Sequence, residues 1–487
     1  MDIIPTPKKV TMINDKMDYL AFAPDIKNNE KFSNAIDSFV IYAERIYGIA
    51  ITKEEDAPMQ VIYEAELASE EYRLVVNEEG VVIYASDSVG ANHAFATVLQ
   101  IMNVSAEQIL LPTIIVEDAP DCIYRGMMID LARNWHTFPY LLSYVDMCYF
   151  YKMSVLQLHF TDDQSYTLPS KIFPKLSTLG RFYTQEQIKE LVEYANARGV
   201  ELMPEIDVPG HCISFGEAYG DLFGTKGVIC QHEDSMEAMR ELFRELCDMF
   251  PYSKYIHIGG DEAYAMDEWT KCPQCCEYAK SVGIDSDMED KRMLAELLYA
   301  HFISETAEVI FEKGKQPIVW EGFAKDVNNK VSKDIWVMSW ENLYQLTSDL
   351  LEAGFKVINC SWIPTYVVTP LQMWSPKEVF DWSVYSWRAK AIKSPIHETG
   401  YESPKTSQIL GGQLLAWGDH ISTKCPSVEE GVYEERDRML ERLPMTAENT
   451  WNIEKVTDYA SFEKTITVPQ EKLFKMIGNT RRDISCI

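Results

Sequence analysis

After Pro120 the chain alternates, eight times over, a short apolar run of strand length with a segment of helical period, and no other feature constrains its fold as strongly. The runs begin near Tyr124 (YRGMMIDLA), Val155 (VLQLHFTD), Val200 (VELMPEID), Tyr255 (YIHIGGDE), Pro317 (PIVWEG), Ile335 (IWVMSW), Lys356 (KVINCSW) and Ile409 (ILGGQLLAWG). Helical period fills Tyr140 to Tyr151, Thr184 to Arg198, Met236 to Phe250, Lys291 to Lys313 and Tyr344 to Ala353. Strands buried on both faces read as continuous apolar runs, and parallel neighbours require a crossover between them. Eight such units predict an α/β fold, a (β/α)8 TIM barrel, with irregular connections after strands five and seven. The punctuation LPTIIVEDAPD, residues 111 to 121, marks a boundary before it. Residues 1–119 read as a small N-terminal α/β domain, with strands at Tyr72 to Val76 and Val81 to Tyr84 and a helix over Gly90 to Met102. Residues 120–487 then form the barrel with a C-terminal helical tail.

Composition narrows the partners. Among 487 residues, 45 Lys+Arg against 75 Asp+Glu give a net charge of −30, which repels phosphate backbones and anionic lipid alike, so neither nucleic acid nor a membrane is expected as partner. A hydrophobic share of 46% excludes disorder as the main state. No apolar run reaches the roughly 18 residues of a membrane span, and the start, MDIIPTPKKVTMINDKMDYL, lacks a basic region followed by an apolar stretch. The expectation is a cytoplasmic protein. No feature of the sequence specifies an oligomeric state. Eleven cysteines, scattered from Cys122 to Cys486, are not the even, dense set of a disulfide scaffold and read as reduced thiols. Cys272 and Cys275 form a CxxC with Cys276 beside it, and Cys230 and His232 could complete zinc coordination if the fold brought them near. No second CxxC exists, so the expectation is no metal.

In such a barrel the chemistry lies at the C-terminal strand ends. Strand one ends at Asp130 with Arg133 beyond it, strand two at His159, Asp162 and Asp163, strand three at Glu205, Asp207 and His211, and strand four at His257, Asp261 and Glu262. The last four deliver Trp320 with Glu321, Trp340 with Glu341, Trp362, and Trp417 with Asp419. A solvated rim can supply scattered carboxylates but has no reason to place tryptophan at four successive strand ends. Indole faces beside carboxylates suit a sugar ring, which offers apolar C–H faces and hydroxyl donors.

The sharpest local feature is HIGGDEA, residues 257 to 263. Alternation along a strand would turn His257, Gly259 and Asp261 inward while Glu262 enters the loop, so both acids reach one cavity. Carboxylates held close repel, and burial favours one neutral acid beside one anion, a division suited to acid-catalysed cleavage of a glycosidic bond.

Together RGMMIDLARNW, HFTDDQ, PEIDVPGH, HIGGDEA, the WEG of Trp320 to Gly322, and GGQLLAWGD resemble the successive barrel motifs of glycoside hydrolase family 20, the β-N-acetylhexosaminidases. The leading domain, with SVGANHAFATVLQI, is similar to that family's as well. The resemblance implies a retaining exo-β-N-acetylhexosaminidase without cofactor, acting on a terminal N-acetylhexosamine of oligosaccharides or glycoconjugates through an oxazolinium intermediate. It implies Glu262 as general acid and then base, and Asp261 as the group that holds the 2-acetamido N–H. Arg125, Asp162 and Asp163 resemble residues that fix sugar hydroxyls or brace the acid pair, with a barrel-base ion pair as the alternative for Arg125. His211 resembles a supporting histidine; Trp320, Trp340 and Trp417 the pocket around the acetamido methyl; Tyr366 a partner of the acetamide; and Asp419 an acceptor from sugar hydroxyls.

Two motifs depart from the family. Ser165, Tyr166 and Thr167 stand where Gly, Trp and Arg are more usual, and SWIPTYVV replaces a Tyr-x-Asp on strand seven, leaving Val368 where a carboxylate would accept near C6. Glu378 or Asp381 could replace that acceptor by folding back. Two other readings compete. One is a metal-dependent barrel enzyme, with Glu205 or Asp207, Asp261 and Glu321 as Mg²⁺ ligands, although strand one lacks an HxH. The other is an amino-sugar-binding protein without turnover, which would have no need of a proton donor.

Overall fold

The computed structural model describes residues 2–13 and 18–478; Cys486 therefore lies outside the described residues. Eight parallel strands close a barrel: β1 (Tyr124–Asp130), β2 (Val155–His159), β3 (Glu201–Glu205), β4 (Tyr255–His257), β5 (Gln316–Trp320), β6 (Trp336–Ser339), β7 (Lys356–Asn359) and β8 (Ile409–Trp417). Pairing of β1 with β8, from Tyr124 opposite Gly411 to Ile129 opposite Ala416, completes the ring. Every residue of β1 and β8 is buried, which is why these runs carry no polar alternation. All eight expected strands form, and the helices Phe138–Phe150, Gln185–Ala197, Glu233–Met249 and Lys291–Glu312 lie where helical period placed them. Thr184 starts the second of these with a capping box to Gln187. After β5 only the turn Lys325–Val327 forms, and β7 is followed by a short strand, Tyr366–Val368, that pairs onto β8. The helix read from Tyr344 begins instead at Thr347, leaving Tyr344 on the loop after β6.

The leading domain is a seven-stranded sheet in the order Lys9–Met12, Ile114–Asp118, Tyr72–Asn77, Gly80–Ala85, Met59–Tyr63, Asp25–Ile26, Thr52–Lys53. Helix Ser88–Ile101, capped by Asp87, is buried almost all round, because it is sandwiched between that sheet and the barrel helix Phe138–Phe150. The final helices are more than a tail. Val428–Trp451 lies on β1 and β8, and Tyr459–Ile477 bridges to the leading domain, where Lys472 donates to the carbonyls of Gln100 and Met102. None of the helices among the described residues is long and apolar enough to cross a membrane.

Arg125 corrects one expectation. It opens β1, five residues and roughly 16 Å from the strand end that carries Asp130. Fully buried, it donates to the carbonyls of Lys152 (3.0 Å) and Cys122 (2.8 Å) and pairs with Glu70 of the leading domain. It is a domain-joining ion pair at the base of the barrel, beside Lys152–Asp118 (3.1 Å) and Trp451, whose Nε1 donates to Asp118 at 2.8 Å. A strand's first residues point away from the site whatever their charge.

Candidate active site

Regular pairing on β4 stops at His257, four residues before the Asp261 that alternation along HIGGDEA must reach. The backbone then turns through Gly259 (φ +80°) and Gly260 (φ +101°), and Glu262 itself has φ +47°. A Cβ on Gly259 would overlap the backbone and carboxylate of Asp207, so only glycine lets β3 and this turn approach so closely. The turn, rather than strand alternation, delivers Asp261 and Glu262 to the same side.

His211 lies between them. Its Nε2 is 3.4 Å from Glu262 Oε2 and 3.7 Å from Asp261 Oδ2, while Nδ1 is 3.2 Å from Asp162 Oδ1. Burial alone would depress this imidazole, yet the carboxylates of Asp207 and Asp162 hold it well above the usual histidine range, so it is a buried cation. Arg133 supports the other side of Asp162: its guanidinium meets Asp162 at 2.8 Å and Asp130 at 3.1 Å, approaches Asp419 at 3.8 Å, and lies over the Trp417 ring. Burial would raise Asp162, but Arg133 and His211 hold it well below the usual carboxylate range. Asp163 turns elsewhere and accepts from the Ile213 N–H at 3.1 Å, bracing the loop that carries His211. Arg133 was visible at its strand end, but the resemblance was carried to Arg125 instead; position along the strand was the signal that separates them.

The two acids are shifted in directions opposite to the expected roles. Burial raises Asp261, and the neighbouring Glu262 charge adds to this against the opposing His211. Glu262 is less enclosed; burial raises it, but hydrogen bonds from His211 and Tyr264 and the His211 charge outweigh that and lower it. The Tyr264 hydroxyl donates to Glu262 Oε1 at 2.6 Å. Of the two, Glu262 is the one whose charged form its surroundings favour.

Aromatic side chains form one wall. Trp362 stacks on Tyr366 at 4.2 Å between centroids, Tyr366 lies nearly parallel to Trp340 (6.5 Å) and Trp417 (6.1 Å), and Trp417 meets Trp320 at 6.0 Å. Trp320 donates Nε1 to Glu205 (2.7 Å), and Trp340 donates to the Glu321 carbonyl (3.0 Å). Among the described residues no partner meets Asp261 Oδ1, Trp362 Nε1, Trp417 Nε1 or the Tyr344 hydroxyl, all buried. Buried polar atoms are normally paired, and a polar ligand received between the acid pair and this wall would give these atoms partners. Tyr344 and Tyr264 were not legible beforehand: the first sat inside a helical pattern, the second on a loop without period.

Neither departure is compensated as expected. Val368 is buried in the aromatic cluster. Glu378 caps its own helix through Ser375, and Asp381 pairs with Lys377, so neither folds back. Ser165 and Tyr166 form a hairpin with Thr161 and Asp162, and the Ser165 hydroxyl donates to the Ala132 carbonyl (2.5 Å). The Mg²⁺ reading loses Glu205 and Glu321 as ligands. Glu205 is engaged by Gln157, Trp320 and the His159 ring, and Glu321 by the N–H groups of Trp340, Asn342 and Tyr344. Burial pushes the Glu321 carboxyl up to about 7 against those hydrogen bonds.

Residues 123–454 match the model of the glycosyl hydrolase family 20 catalytic domain, and residues 1–119 that of the family's domain 2. A beta-hexosaminidase subunit beta of Entamoeba histolytica is 28% identical over 435 residues, which is 81% of this chain and 71% of the relative. A beta-hexosaminidase of Vibrio furnissii is 28% identical across 72% of this chain and 62% of its own length. The exo beta-N-acetylglucosaminidase of Vibrio harveyi, solved with N-acetylglucosamine, shares the fold with a TM-score of 0.79 at 22% identity, over 97% of this chain and 77% of that one. The catalytic model alone spans more than half of the chain and contains the acid pair, His211, Arg133 and the tryptophan wall. This protein is accordingly a glycoside hydrolase, a β-N-acetylhexosaminidase, and belongs to glycosyl hydrolase family 20.

Proposed function

We propose that the chain removes a terminal β-linked N-acetylhexosamine from oligosaccharides and glycoconjugates, with the sugar's own acetamide as nucleophile. The observation that carries the assignment of roles is the unpaired, buried Asp261 Oδ1 beside the less enclosed Glu262. An acetamide N–H donated to Asp261 would satisfy that atom and favour its ionised form, holding the carbonyl oxygen toward C1. Positive charge that develops on the acetamide is stabilised by the resulting anion. Charge on Asp261 in turn favours a proton on Glu262, against the pull of His211 and Tyr264, and arms Glu262 as the general acid. Departure of the aglycone then leaves Glu262 as the base that activates water on the oxazolinium. Trp320, Trp340, Trp362, Tyr366 and Trp417 enclose the acetamide and one sugar face, Asp419 and Arg133 take its hydroxyls, and the fully buried Asp162 braces Arg133 and His211. A cytoplasmic location belongs to the same reading, supported by the ten cysteines described, all unpaired.

Hydrolysis of an aryl β-N-acetylglucosaminide beside the matching β-glucoside tests this. The glucoside lacks the internal nucleophile and should be essentially inert; comparable rates would refute the mechanism.

A further inference from the structure

The CxxC that the hydrolytic site leaves unused is not alone in space. Cys230, on the loop after β3, brings its Sγ to 3.7 Å from Cys272 Sγ and 3.4 Å from Cys275 Sγ, and all three sulfurs lie within 4.8 Å of one another. Three thiolates on a tetrahedral Zn²⁺, with Zn–S near 2.3 Å, lie about 3.8 Å apart. The triangle therefore has nearly the size that zinc imposes, and it is far wider than the roughly 2.05 Å of a disulfide, which would use two sulfurs and strand the third.

Both chain segments hold the triangle in place. The Cys230 N–H donates to the Phe223 carbonyl (2.8 Å), and Cys272 is the N-cap of helix Pro273–Ser281, with Cys275 one turn in. Helix N–H groups at that end favour thiolate charge. Between the segments the buried Trp269 donates Nε1 to the Ile229 carbonyl at 2.7 Å. A cavity of about 270 Å³ opens on the sulfurs and is lined also by Lys226, Glu268 and Lys271. Zn²⁺ with three thiolates carries one net negative charge; Lys271 is held by Asp267 (2.6 Å) and Glu268 (2.8 Å), so Lys226 is the lining cation that offsets it. Cys276 does not face the triangle; its Sγ points to the carbonyls of Trp269 and Thr270.

We propose that Cys230, Cys272 and Cys275 bind one Zn²⁺ as thiolates, with the fourth position open to the cavity that Glu268 lines, and that this metal fastens the loop after β3 to the loop after β4. The first of those loops carries His211 and the second Asp261, Glu262 and Tyr264, so the site stands behind the acid pair as a staple and takes no part in the chemistry. It departs from the expectation of no metal drawn from the lack of a second CxxC: the third ligand lies 42 residues before Cys272 in sequence and is supplied by the fold. Binding releases the thiol protons and involves no change of oxidation state.

The test is the metal content of the full-length chain, purified under reducing conditions from zinc-containing medium. About one zinc per chain is expected, and exchange into Co²⁺ should produce thiolate-to-cobalt charge-transfer absorption with the d–d bands of a tetrahedral site. Cys230→Ser should abolish both signals, while Cys276→Ser should retain them. Should Cys230→Ser fail to fold, the wild-type cobalt spectrum still decides. A chain that holds no zinc and takes up no cobalt, a Cys230–Cys275 disulfide in the purified protein, or a Cys276→Ser variant as depleted as Cys230→Ser would each overturn the assignment.

Discussion

The hydroxyl of Tyr264 donates to Oε1 of Glu262 across 2.6 Å, two residues along one loop, and helps hold the proposed acid below the usual carboxylate range. A general acid must be protonated to act, so activity falls as pH rises through its pKa. Because kcat/KM reports the free enzyme and kcat the complex, the basic limb of kcat should lie at higher pH than that of kcat/KM. Tyr264→Phe removes a hydrogen bond to a charged group, worth about 1.5 kcal/mol, and should raise the basic limb of kcat/KM by about one pH unit. An unmoved limb would assign the depression to His211 alone.

Replacing the two acids should separate their roles. Glu262→Gln should slow substrates with poor leaving groups by about 10²–10⁴-fold more than activated aryl glycosides, since only the former need the proton. Asp261→Asn should lower kcat by at least roughly 10²-fold on both, with an unchanged circular dichroism spectrum. Equal losses for Glu262→Gln on both substrates, or a fully active Asp261→Asn, would reassign the pair.

The two arginines of the first barrel motif should fail differently. Arg125→Met leaves Glu70 facing a buried apolar group, a loss of about 3–5 kcal/mol that a lowered melting temperature records, with KM of the folded fraction unchanged. Arg133→Lys forfeits the fork that spans Asp130 and Asp162 and should cut kcat/KM by about 10²-fold with little thermal effect. The reverse pattern would return substrate contact to Arg125.

Recognition at C6 should be loose. With Val368 in the aromatic cluster and neither Glu378 nor Asp381 folded back, an apolar contact discriminates by only about 10–200-fold. A GlcNAc glycoside with a small 6-O-substituent should keep kcat/KM within about 100-fold of the parent, roughly 2.7 kcal/mol. Ala at Glu378 or Asp381 should not change that ratio; a larger penalty removed by either substitution would show that the acceptor moves in upon binding.

Much of this was legible in sequence because it rests on local rules. Eight buried apolar runs alternating with helical period leave little besides a closed parallel barrel, and a barrel assigns function to its C-terminal strand ends, so Asp162, His211, Asp261, Glu262 and the tryptophans could be named from position alone. Tertiary structure decided what depends on distance between elements. It separated Arg125 from Arg133, eight residues apart in one motif, by placing them at opposite ends of a strand. It took Tyr344 out of a helical pattern and set it beside the acids, and it brought Asp261 and Glu262 to one cavity through two left-handed glycines and not through strand alternation. It also set the directions in which the two acids are shifted, because burial and the His211 charge act through space and have no signature in spacing. Cys230 met the CxxC for the same reason: residue types declare which chemistry is possible, and only the packed chain brings the atoms within reach of one another.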